Sequence, residues 1–502
     1  MKIILAGYNV DADTLGALKR LDPDTKALTP ETVSAAYARI SRNPLPVNDL
    51  RRIAREEVEE ARKSNRNIVF GMGHSSIAEH AVFNIDVLGV SRLLVEEIEK
   101  FRLCSYTEKS QRYVLLKDDF VLPEEVRKAG LGKVFVETIR EQNGFYHDLF
   151  AALKEYVFDR HRDLASDPAS RSTLEGWAKE DARYIISLAV ETQLGMTLNA
   201  RNLELALRRL AAHPLEEAKE FSRKLYETVK DVAPSLIRYT EATAFDAETR
   251  APLRERAHAF ITKWGDKKPV EQDCCVAARI GNASLVYITP KADDKTTAAL
   301  LHSSSGLPME RCLQTASLME ESEKKEMIRT AFRYMKAYDA PLREFEHVDV
   351  CFELIVSATC FAQLKRHRMA TIIAQDYDPS LGTVVPPAIV AVNMEAPFRR
   401  VVSRTEDTYA RIRKVAPLVA PYILTNAHQK RVILKMNARE FYHLSRLRAD
   451  RHAQWDIRDT VERMLNLGRR EMPLTLMLAA GKDGFDALYE QCFADDPSTG
   501  SV

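Results

Sequence analysis

The feature that most constrains the fold of this chain is a motif that occurs twice along its length. GHSSIAEH, VSRLLVEEIEKFR and SYTEKSQRYV follow one another within residues 70–116. PLREFEH, a helix-like run ending in QLKRHR, and TIIAQDYDP follow one another within 341–385. Both copies contain a Glu-His pair, a hydrophobic stretch and a basic triplet in the same order. Such self-similarity indicates two copies of one folding unit.

Two further matches support a duplication. LNARNLELALRRL (198–210) resembles MNAREFYHLSRLR (436–448), and VSAAYARIS (33–41) resembles VAARIGNAS (276–284). The spacing between matches drifts, as expected for two diverged copies of which one carries an insertion. We place the insertion in 284–320 and interpret it as strand, loop and turn. The predicted domains are residues 1–245 and 265–502.

Periodicity predicts both helices and strands in each copy. EEVEEARKSNR, SRLLVEEIEKFR, SLMEESEKKEMIRTAFRYMKAYD and VERMLNLGRREM have helical spacing. AVFNIDVLGV and VDVCFELIVS alternate like strands just before a helix. The sequence therefore predicts an α+β fold in two tandem copies, each with helices packed on an antiparallel sheet.

Composition narrows the class of protein. A chain of 502 residues is too long for one ordinary core, and its net charge of +1 favours neither nucleic acid nor a membrane surface. An anionic ligand would therefore depend on local arginines. Neither a membrane-spanning run nor a signal peptide is indicated. The seven cysteines lack a CxxC pattern, so we predict a reduced, cytoplasmic setting and no metal site.

The polar motifs are weak one by one. Basic residues at 366–368 are typical of a solvated helix end. The run SQRY at 110–113 suits a phosphate, because a hydroxyl and a guanidinium two residues apart can point together. LRADRHAQWDIR at 447–458 is more polar than a structural helix requires. Cys104 is interpreted as a small buried thiol rather than a nucleophile.

Taken together, these motifs resemble the flavin-dependent thymidylate synthases. That family's signature is Arg-His-Arg followed by Ser-x-Arg, preceded by a His…Glu-His segment and followed by NAR and LRAD…HAQW. The resemblance covers roughly residues 30–235 and 270–485. It implies methylation of dUMP to dTMP with 5,10-methylenetetrahydrofolate, and FAD that NADPH reduces. Family members are homotetramers of half-length subunits, which implies a homodimer of this chain forming a pseudo-tetramer.

The resemblance divides the site residues between the two halves. The dUMP-binding residues it implies are Gln363 and Arg366 in the second half and Glu108, Ser110, Arg112 and Arg183 in the first. It implies that Arg448 is catalytic, placed against the uracil to favour its ionised form. The FAD-binding residues it implies are His74, Ser76, Arg366, His367, Arg368, Asn437, Arg439 and His443. At His443, family members often have another polar residue.

Each half lacks what the other keeps. The first half has Glu97 and Lys100 in place of Gln363 and Arg366. The second half has Asp376, Asp378 and Pro421 in place of the Ser, Arg and upstream Arg, and two aspartates would repel a phosphate. We therefore expect one composite site per pair of halves.

Several alternatives stay open on the sequence alone. The two halves of a site could come from one chain or from two, and no motif identifies the NADPH or folate contacts. The protein could also be a related flavoenzyme acting on another pyrimidine nucleotide. A third possibility is a non-catalytic remnant that binds a nucleotide or flavin.

Overall fold

The structure is a computed structural model that describes residues 1–11, 14, 29–40, 45, 47–67, 69, 75–265 and 278–494. The chain forms two compact units. The first comprises Met1–Lys267 and Pro387–Thr425, and the second comprises Lys268–Pro386 and Asn426–Val502. A segment of the second sequence copy thus belongs to the first unit. The predicted domain bounds describe sequence copies and stay a prediction.

The strands in chain order are β1 Lys2–Tyr8, β2 Val82–Ser91, β3 Ser105–Glu108, β4 Glu191–Asn199, β5 Ala278–Ile280, β6 Ala283–Ile288, β7 Asp349–Ser357, β8 Thr371–Ala374 and β9 Gln429–Asn437. The first unit contains an antiparallel sheet in the order β1-β2-β4-β3. The second contains an antiparallel sheet in the order β5-β6-β7-β9-β8.

The α-helices up to the join between halves are α1 Glu31–Ile40, α2 Val47–Glu56, α3 Val58–Arg66, α4 Arg92–Ile98, α5 Glu124–Lys128, α6 Gly132–Arg160, α7 Arg162–Ser166, α8 Arg171–Ala182, α9 Ala200–Ala211, α10 Glu216–Val229, α11 Ala244–Glu248 and α12 Arg250–Trp264. Those that follow are α13 Ala292–Ser305, α14 Met309–Leu318, α15 Glu321–Phe332, α16 Ala358–Leu364, α17 Pro387–Ala391, α18 Glu395–Val415, α19 Ala438–Arg448, α20 Trp455–Glu471 and α21 Lys482–Phe493. Short 3₁₀ segments are Ser75–His80, Arg183–Ile185, Arg343–His347, Pro379–Leu381 and Pro417–Ile423.

The two sheets are built on the same plan. Removing the short edge strand β5 leaves β6-β7-β9-β8, which matches β1-β2-β4-β3 in order and direction. The register also matches, because Ser105 pairs with Thr197 and Thr371 pairs with Lys435 at equivalent places. Strand β2 holds one extra residue at a bulge, where Gly89 takes a φ of +67°. The α+β prediction in two tandem copies is confirmed.

Helix capping repeats as closely as the sheets. Ser91 and Ser357 end their strands and accept a backbone N–H three residues on, both at 3.0 Å. Asn199 and Asn437 do the same at 2.9 and 2.8 Å. Ser and Asn side chains are favoured at this position because they satisfy helix N–H groups that otherwise have no partner. Both strand-to-helix corners of each copy are therefore encoded locally.

Alternating residues attach each sheet to its core. Phe83, Ile85 and Val87 of β2 are buried, whereas Asn84 and Asp86 between them are exposed. In β7, the buried residues Val350, Phe352, Leu354 and Val356 follow the same period of two. This pattern is typical of a sheet with one face on the core.

Two interpretations of the sequence were wrong. The match of 33–41 to 276–284 joins unlike structures, since Glu31–Ile40 is helical whereas Ala278–Ile280 and Ala283–Ile288 are strands. In 284–320 the predicted strand is present as β6, whereas the predicted loop and turn contain helices α13 and α14. The carboxylate of Asp293 in the first turn of α13 accepts the backbone N–H groups of Leu474 and Thr475, at 3.1 and 2.7 Å. Partners so distant in sequence are invisible to a local pattern.

The predicted helix over SLMEESEKKEMIRTAFRYMKAYD is shorter than expected. Met319 and Glu320 have extended backbone angles, which separate α14 from α15. Glu320 and Glu323 form a capping box that starts α15, and this helix ends at Phe332.

The first unit incorporates Pro387–Thr425 through its long helices. Gln142 of α6 is fully buried, and its Nε2 donates to Thr405 Oγ1 at 2.8 Å and to the Ile423 carbonyl at 3.0 Å. The hydroxyls of Thr138 and Thr408 lie 2.9 Å apart. Because these hydrogen bonds join buried polar groups across the two helices, the α6–α18 contact is specific as well as apolar.

Candidate active site

Ser110 and Arg112 lie in the turn that follows β3. The Ser110 hydroxyl accepts the backbone N–H of Arg112 at 3.2 Å, and both side chains are half-buried. This hydrogen bond fixes the turn with a hydroxyl and a guanidinium on neighbouring positions. Both side chains are partly accessible from solvent.

A carboxylate and two arginines adjoin this turn. The Nε of Arg112 lies 2.5 Å from Oε2 of Glu180, an ion pair rather than an aligned hydrogen bond. Arg183 stands three residues after Glu180 and donates from Nε to the Glu180 carbonyl at 3.2 Å. Burial lowers the pKa of Arg183, the charge of Glu180 opposes this, and the nearby charges of Arg92 and Arg112 lower it further.

Arg92 connects Glu108 to the same cluster. Its guanidinium pairs with the Glu108 carboxylate, which the hydroxyl of Thr192 also approaches at 3.4 Å. Both members of the pair are buried. Through Arg92 and Glu180, the structure brings together all four first-half dUMP residues that the resemblance implied.

Sequence reasoning missed Arg92 and Glu180. Arg92 directly follows the cap Ser91. The equivalent position in the second copy is Ala358, so only the first copy has a charged residue here. Glu180 is three residues before Arg183, a spacing that places two side chains on one helical face. The difference between Arg92 and Ala358 and the spacing of Glu180 from Arg183 were the sequence signals that could have identified both residues.

Arg448, His367 and Gln363 meet in the second unit. Arg448 ends α19, and its Nε donates to His367 Nε2 at 3.1 Å while its Nη2 lies 3.5 Å from the Gln363 carbonyl. The Gln363 side chain donates to Oε1 of Gln454 at 3.4 Å. Gln454 also caps α20, so one glutamine links the predicted nucleotide residue to a helix start.

His367 is a neutral imidazole in this arrangement. Burial lowers its pKa to about 3, helped by the charges of Arg448, Arg366 and Arg368. Because Nε2 accepts a hydrogen bond from Arg448, the ring proton resides on Nδ1, which faces Oε1 of Glu440 at 3.5 Å. That pair has ion-pair spacing without an aligned hydrogen bond, and burial raises the pKa of Glu440.

Arg439 takes part in an ion pair that both copies repeat. Its Nη1 donates to Glu346 at 3.1 Å and its Nε donates to the Pro341 carbonyl at 2.8 Å. In the first copy, Arg201 of the NAR segment pairs with Glu79 in the same way. The Glu of each repeated Glu-His pair therefore ties the NAR helix to the segment before the central strand.

The remaining predicted flavin residues have varied surroundings. Arg366 is exposed and Arg368 is half-buried. Asn437 caps α19, and the ring of His443 lies 5.6 Å from that of His367. Arg439 and His443 line a cleft of about 340 Å³, part of it open to solvent, together with Pro341, Tyr442, Arg446 and Phe485.

The first-half flavin residues are less informative. Ser76 is exposed within the 3₁₀ segment Ser75–His80. His74 lies outside the described residues. Cys104, for its part, is a buried thiol outside any disulfide that donates to the Arg102 carbonyl at 3.3 Å, as expected for a small buried residue.

In the first half, the positions that replace Gln363 and Arg366 are occupied by a local ion cluster. Glu97 lies 2.6 Å from Lys100 and 3.4 Å from His213. Burial raises the pKa of Glu97, but the hydrogen bond to His213 and the charge of Lys100 outweigh burial and lower it to about 2. This carboxylate therefore stays ionised.

In the second half, two aromatic rings pack against a lysine beside the segment that replaces Ser110 and Arg112. The Nζ of Lys430 lies 3.8 Å from the ring centre of Tyr377 and 4.3 Å from that of Phe361. Lys430 stands where the first half has Thr192. Asp378 accepts the backbone N–H of Ser380 at 2.9 Å and so caps a short turn.

Comparison with known proteins identifies the family. Residues 25–235 and 284–474 match the family described as "Thymidylate synthase complementing protein". The chain belongs to this family. The match falls in two segments, which confirms the resemblance to flavin-dependent thymidylate synthases and its tandem-duplicated form.

Two curated relatives illustrate the half-length and full-length forms. The flavin-dependent thymidylate synthase of Clostridium tetani is 30% identical over 214 residues, which cover 42% of this chain and 82% of the relative. The UPF0159 protein Ta1429 of Thermoplasma acidophilum is 23% identical over 470 residues, covering 86% of this chain and 91% of the relative.

A solved structure is also similar. The flavin-dependent thymidylate synthase of Helicobacter pylori, complexed with FAD and dUMP, aligns with a TM-score of 0.31 and 15% identity. The alignment covers 48% of this chain and all of that one. Among the described helices of the present chain, none has the length and apolar character needed to cross a membrane.

Proposed function

We propose that this protein is a flavin-dependent thymidylate synthase that methylates dUMP to dTMP. The carbon donor is 5,10-methylenetetrahydrofolate, and NADPH reduces the FAD. One observation carries the proposal: the family's site residues are complete only when first-half and second-half residues are taken together. The arginine-rich cluster around Ser110 and the cluster of His367 with Arg448 are each lost from the other half.

The nucleotide phosphate is assigned to the first-half cluster. Ser110 and Arg112 are held in one turn, and Arg183 adds a buried positive charge nearby. Arginine pairs well with phosphate because its planar fork matches two oxygens. Glu108 is neutralised by Arg92, so its carboxylate need not repel the phosphate. Gln363 and Arg366 complete the proposed dUMP set.

Arg448 is assigned to the uracil. A guanidinium beside the ring favours its ionised form, which raises electron density at C5, the carbon to be methylated. Neutral His367 makes this possible, because its unprotonated Nε2 accepts from Arg448 and adds no positive charge. Protonated His367 would repel the guanidinium instead. His367 is therefore a positioning residue for Arg448 in addition to its proposed flavin contact.

The donor set of the second half fits a flavin dinucleotide. Arg366 reaches the surface, Arg368 is half-buried, and both suit an anionic diphosphate. Asn437, Arg439, His443, Ser76 and His74 complete the proposed FAD set. A bound flavin would supply the redox chemistry that turns the transferred carbon into a methyl group. The protein's own task is to bind, orient and polarise.

The proposal extends to assembly and location. We infer a homodimer forming a pseudo-tetramer, with one competent site per pair of halves, acting on small molecules in the cytoplasm. Neither nucleic acid nor a membrane is required as a partner. Size-exclusion chromatography with light scattering tests the dimer, and a monomer at assay concentration would overturn it.

Flavin stoichiometry and activity test the core of the proposal. Purified protein is expected to bind one FAD per chain, to form dTMP from dUMP in vitro and to rescue a thymidine auxotroph. Two tightly bound FAD per chain would contradict the single-site hypothesis. Retained flavin without rescue would favour another pyrimidine nucleotide as substrate. Binding of flavin or dUMP without methylation of any pyrimidine nucleotide would indicate a non-catalytic remnant.

Substitutions at equivalent places in the two halves test the assignment of the phosphate. The double variant Ser110→Ala, Arg112→Ala should lose at least about a hundredfold in dUMP affinity, because it removes charge-assisted hydrogen bonds. The matched variant Asp376→Ser, Asp378→Arg restores the family residues in the second half and should leave affinity and stoichiometry unchanged. Isothermal titration with dUMP measures both. A second dUMP bound by the matched variant would contradict the assignment.

Mixing two inactive variants determines whether one chain or two supply a site. Arg112→Ala and Arg448→Ala should each abolish dTMP formation. Co-expressed with different affinity tags, they form heterodimers in which a site drawn from two chains is intact. Activity in the purified heterodimer would show sharing between chains, and its absence would show that both halves come from one chain.

A further inference from the structure

We propose that the carboxylate of Glu180 is a built-in competitor of the nucleotide phosphate for Arg112. Phosphate binding then requires Arg112 to leave Glu180 and pair with the phosphate, so Glu180 lowers the affinity of the site for phosphate. This inference rests on the proposed function, which places the phosphate at Ser110 and Arg112.

The geometry that carries the proposal is an ion pair at the place of an expected anion. Glu180 Oε2 lies 2.5 Å from Arg112 Nε, on the guanidinium adjacent to the Ser110 turn. The Glu180 side chain is 10% exposed, whereas that of Arg112 is 25% exposed. A ligand from solvent therefore meets the arginine while the carboxylate approaches from the protein side.

The local charges explain why a carboxylate stands there. Arg92, Arg112 and Arg183 are close enough that the first two lower the pKa of the third. Like charges in a buried setting repel strongly because water screens them poorly. The charge of Glu180 opposes this repulsion and partly offsets the lowering of the Arg183 pKa, while Glu108 pairs with Arg92. An incoming phosphate dianion can take over the role of Glu180 toward these arginines.

The second copy provides an independent comparison. Its counterpart of Arg183 is Pro421, and three residues earlier, where the first copy has Glu180, it has Leu418. Carboxylate and arginines are therefore present together in one copy and absent together from the other. The carboxylate thus accompanies the arginines, as expected of a group that acts on their charges.

The phosphate affinity of a Glu180 variant shows whether Glu180 competes with phosphate for Arg112 or helps Arg112 to bind it. Glu180→Gln keeps the size of the side chain but removes its charge, so Arg112 no longer gives up an ionic partner when phosphate binds. Dissociation constants for inorganic phosphate and for dUMP should both fall about tenfold. Thermal stability without phosphate should also fall, since the arginines then repel one another, and phosphate should restore it more strongly than in the wild type.

Two further variants sharpen the experiment. Glu180→Asp retains the charge but shortens the reach to Arg112, and it should also tighten phosphate binding, which separates the contact from net charge. Glu175→Gln is the matched control, because Glu175 lies on the same helix and pairs with Lys154 at 2.7 Å. Its phosphate affinity should equal that of the full-length wild type.

The outcomes separate this inference from the proposed function. Equal or weaker phosphate and dUMP binding by Glu180→Gln, with activity intact in the wild type, would overturn the competitor while the function stands. Tighter phosphate binding by both Glu180 variants but no dTMP formation would support the competitor and overturn the function. Failure of the wild type to bind either anion would overturn both.

Discussion

At the level of single residues, a neutral histidine positions Arg448 and a carboxylate pairs with Arg112. His367 accepts from Arg448 because burial and three arginines keep its ring unprotonated. Glu180 instead forms an ion pair with Arg112. In each case several guanidinium groups lie close together, and a neighbouring side chain holds them in place while no ligand is bound.

The pH dependence of stability should report His367. Its pKa is lowered from 6.5 to about 3, so as pH falls below 6.5 the unfolded chain takes up a proton that the folded chain refuses. The free energy of unfolding should therefore decrease toward about pH 3, by up to ~1.4 kcal/mol per pH unit. His367→Phe should remove this contribution, and Phe101 at the equivalent position shows that the ring can be accommodated.

Urea unfolding of the apoprotein at pH 4.5, 5.5 and 7.0 measures this effect. The wild type should lose more stability between pH 7.0 and 4.5 than His367→Phe does. His258→Phe, on the exposed helix α12, separates the loss of a buried imidazole from the loss of any imidazole. Parallel pH curves for wild type and His367→Phe would show that His367 is protonated in the folded protein.

The resemblance located most of these residues but could not supply their partners. Arg448, Gln363 and His367 are named by the signature, and the structure brings them together. Glu180 and Arg92 belong to no motif in the sequence. Their importance depends on which side chains other elements place beside them, and single-sequence patterns do not contain that information.

At the element scale, the copies share sheets, caps and one ion pair. The Ser and Asn caps recur at the same corners, and the NAR arginine pairs with the Glu of the Glu-His segment in both halves. The caps follow from local chemistry. The ion pair joins residues 93 positions apart in the second copy and 122 in the first, so it required the structure. The contact between the start of α21 and the residues Ala449 and Asp450 likewise depends on the tertiary structure.

Gly481 illustrates an element contact that requires the absence of a side chain. A Cβ there would lie 2.5 Å from the Ala449 carbonyl oxygen, next to Arg448, although the backbone has an ordinary φ of −63°. Gly481→Ala should therefore cost more than about 2 kcal/mol, because backbone has to move. It should also weaken dUMP turnover by shifting Arg448.

Gly484→Ala is the matched control on the same helix. Its Cβ would meet its nearest neighbour at an ordinary 3.7 Å, so the change should be neutral or stabilising by about 0.5–1 kcal/mol. Chemical unfolding of both variants gives the comparison. Equal stabilities would mean that the Ala449 loop yields easily and that the close approach has no consequence.

At the scale of the whole molecule, the sequence copies and the packing units divide the chain differently. Pro387–Thr425 comes from the second copy but belongs to the first unit. Within that unit the hydroxyl of Tyr422 donates to Glu217 at 2.6 Å, and the same carboxylate accepts from Ser91. The first copy therefore depends on the second for part of its core.

A split chain tests this dependence. Residues 1–265 alone lack the partners of Gln142 and Thr138 on α6 and the donor Tyr422, so they should be poorly soluble or melt well below the full chain. Co-expression with residues 278–502 should restore solubility and allow the two fragments to purify together. Circular dichroism melting provides the measurement. A first fragment that melts like the full chain would contradict the shared core.

From the sequence alone came the duplication, the α+β class, the strand alternation and the residues of the family signature. These follow from periodicity and motif order, which act over short stretches of chain. Three-dimensional coordinates were needed to show that Pro387–Thr425 joins the first unit, that Gly481 must lack a side chain and that Glu180 faces Arg112. Such contacts join residues far apart in sequence, and their energies depend on burial and charge that exist only after folding.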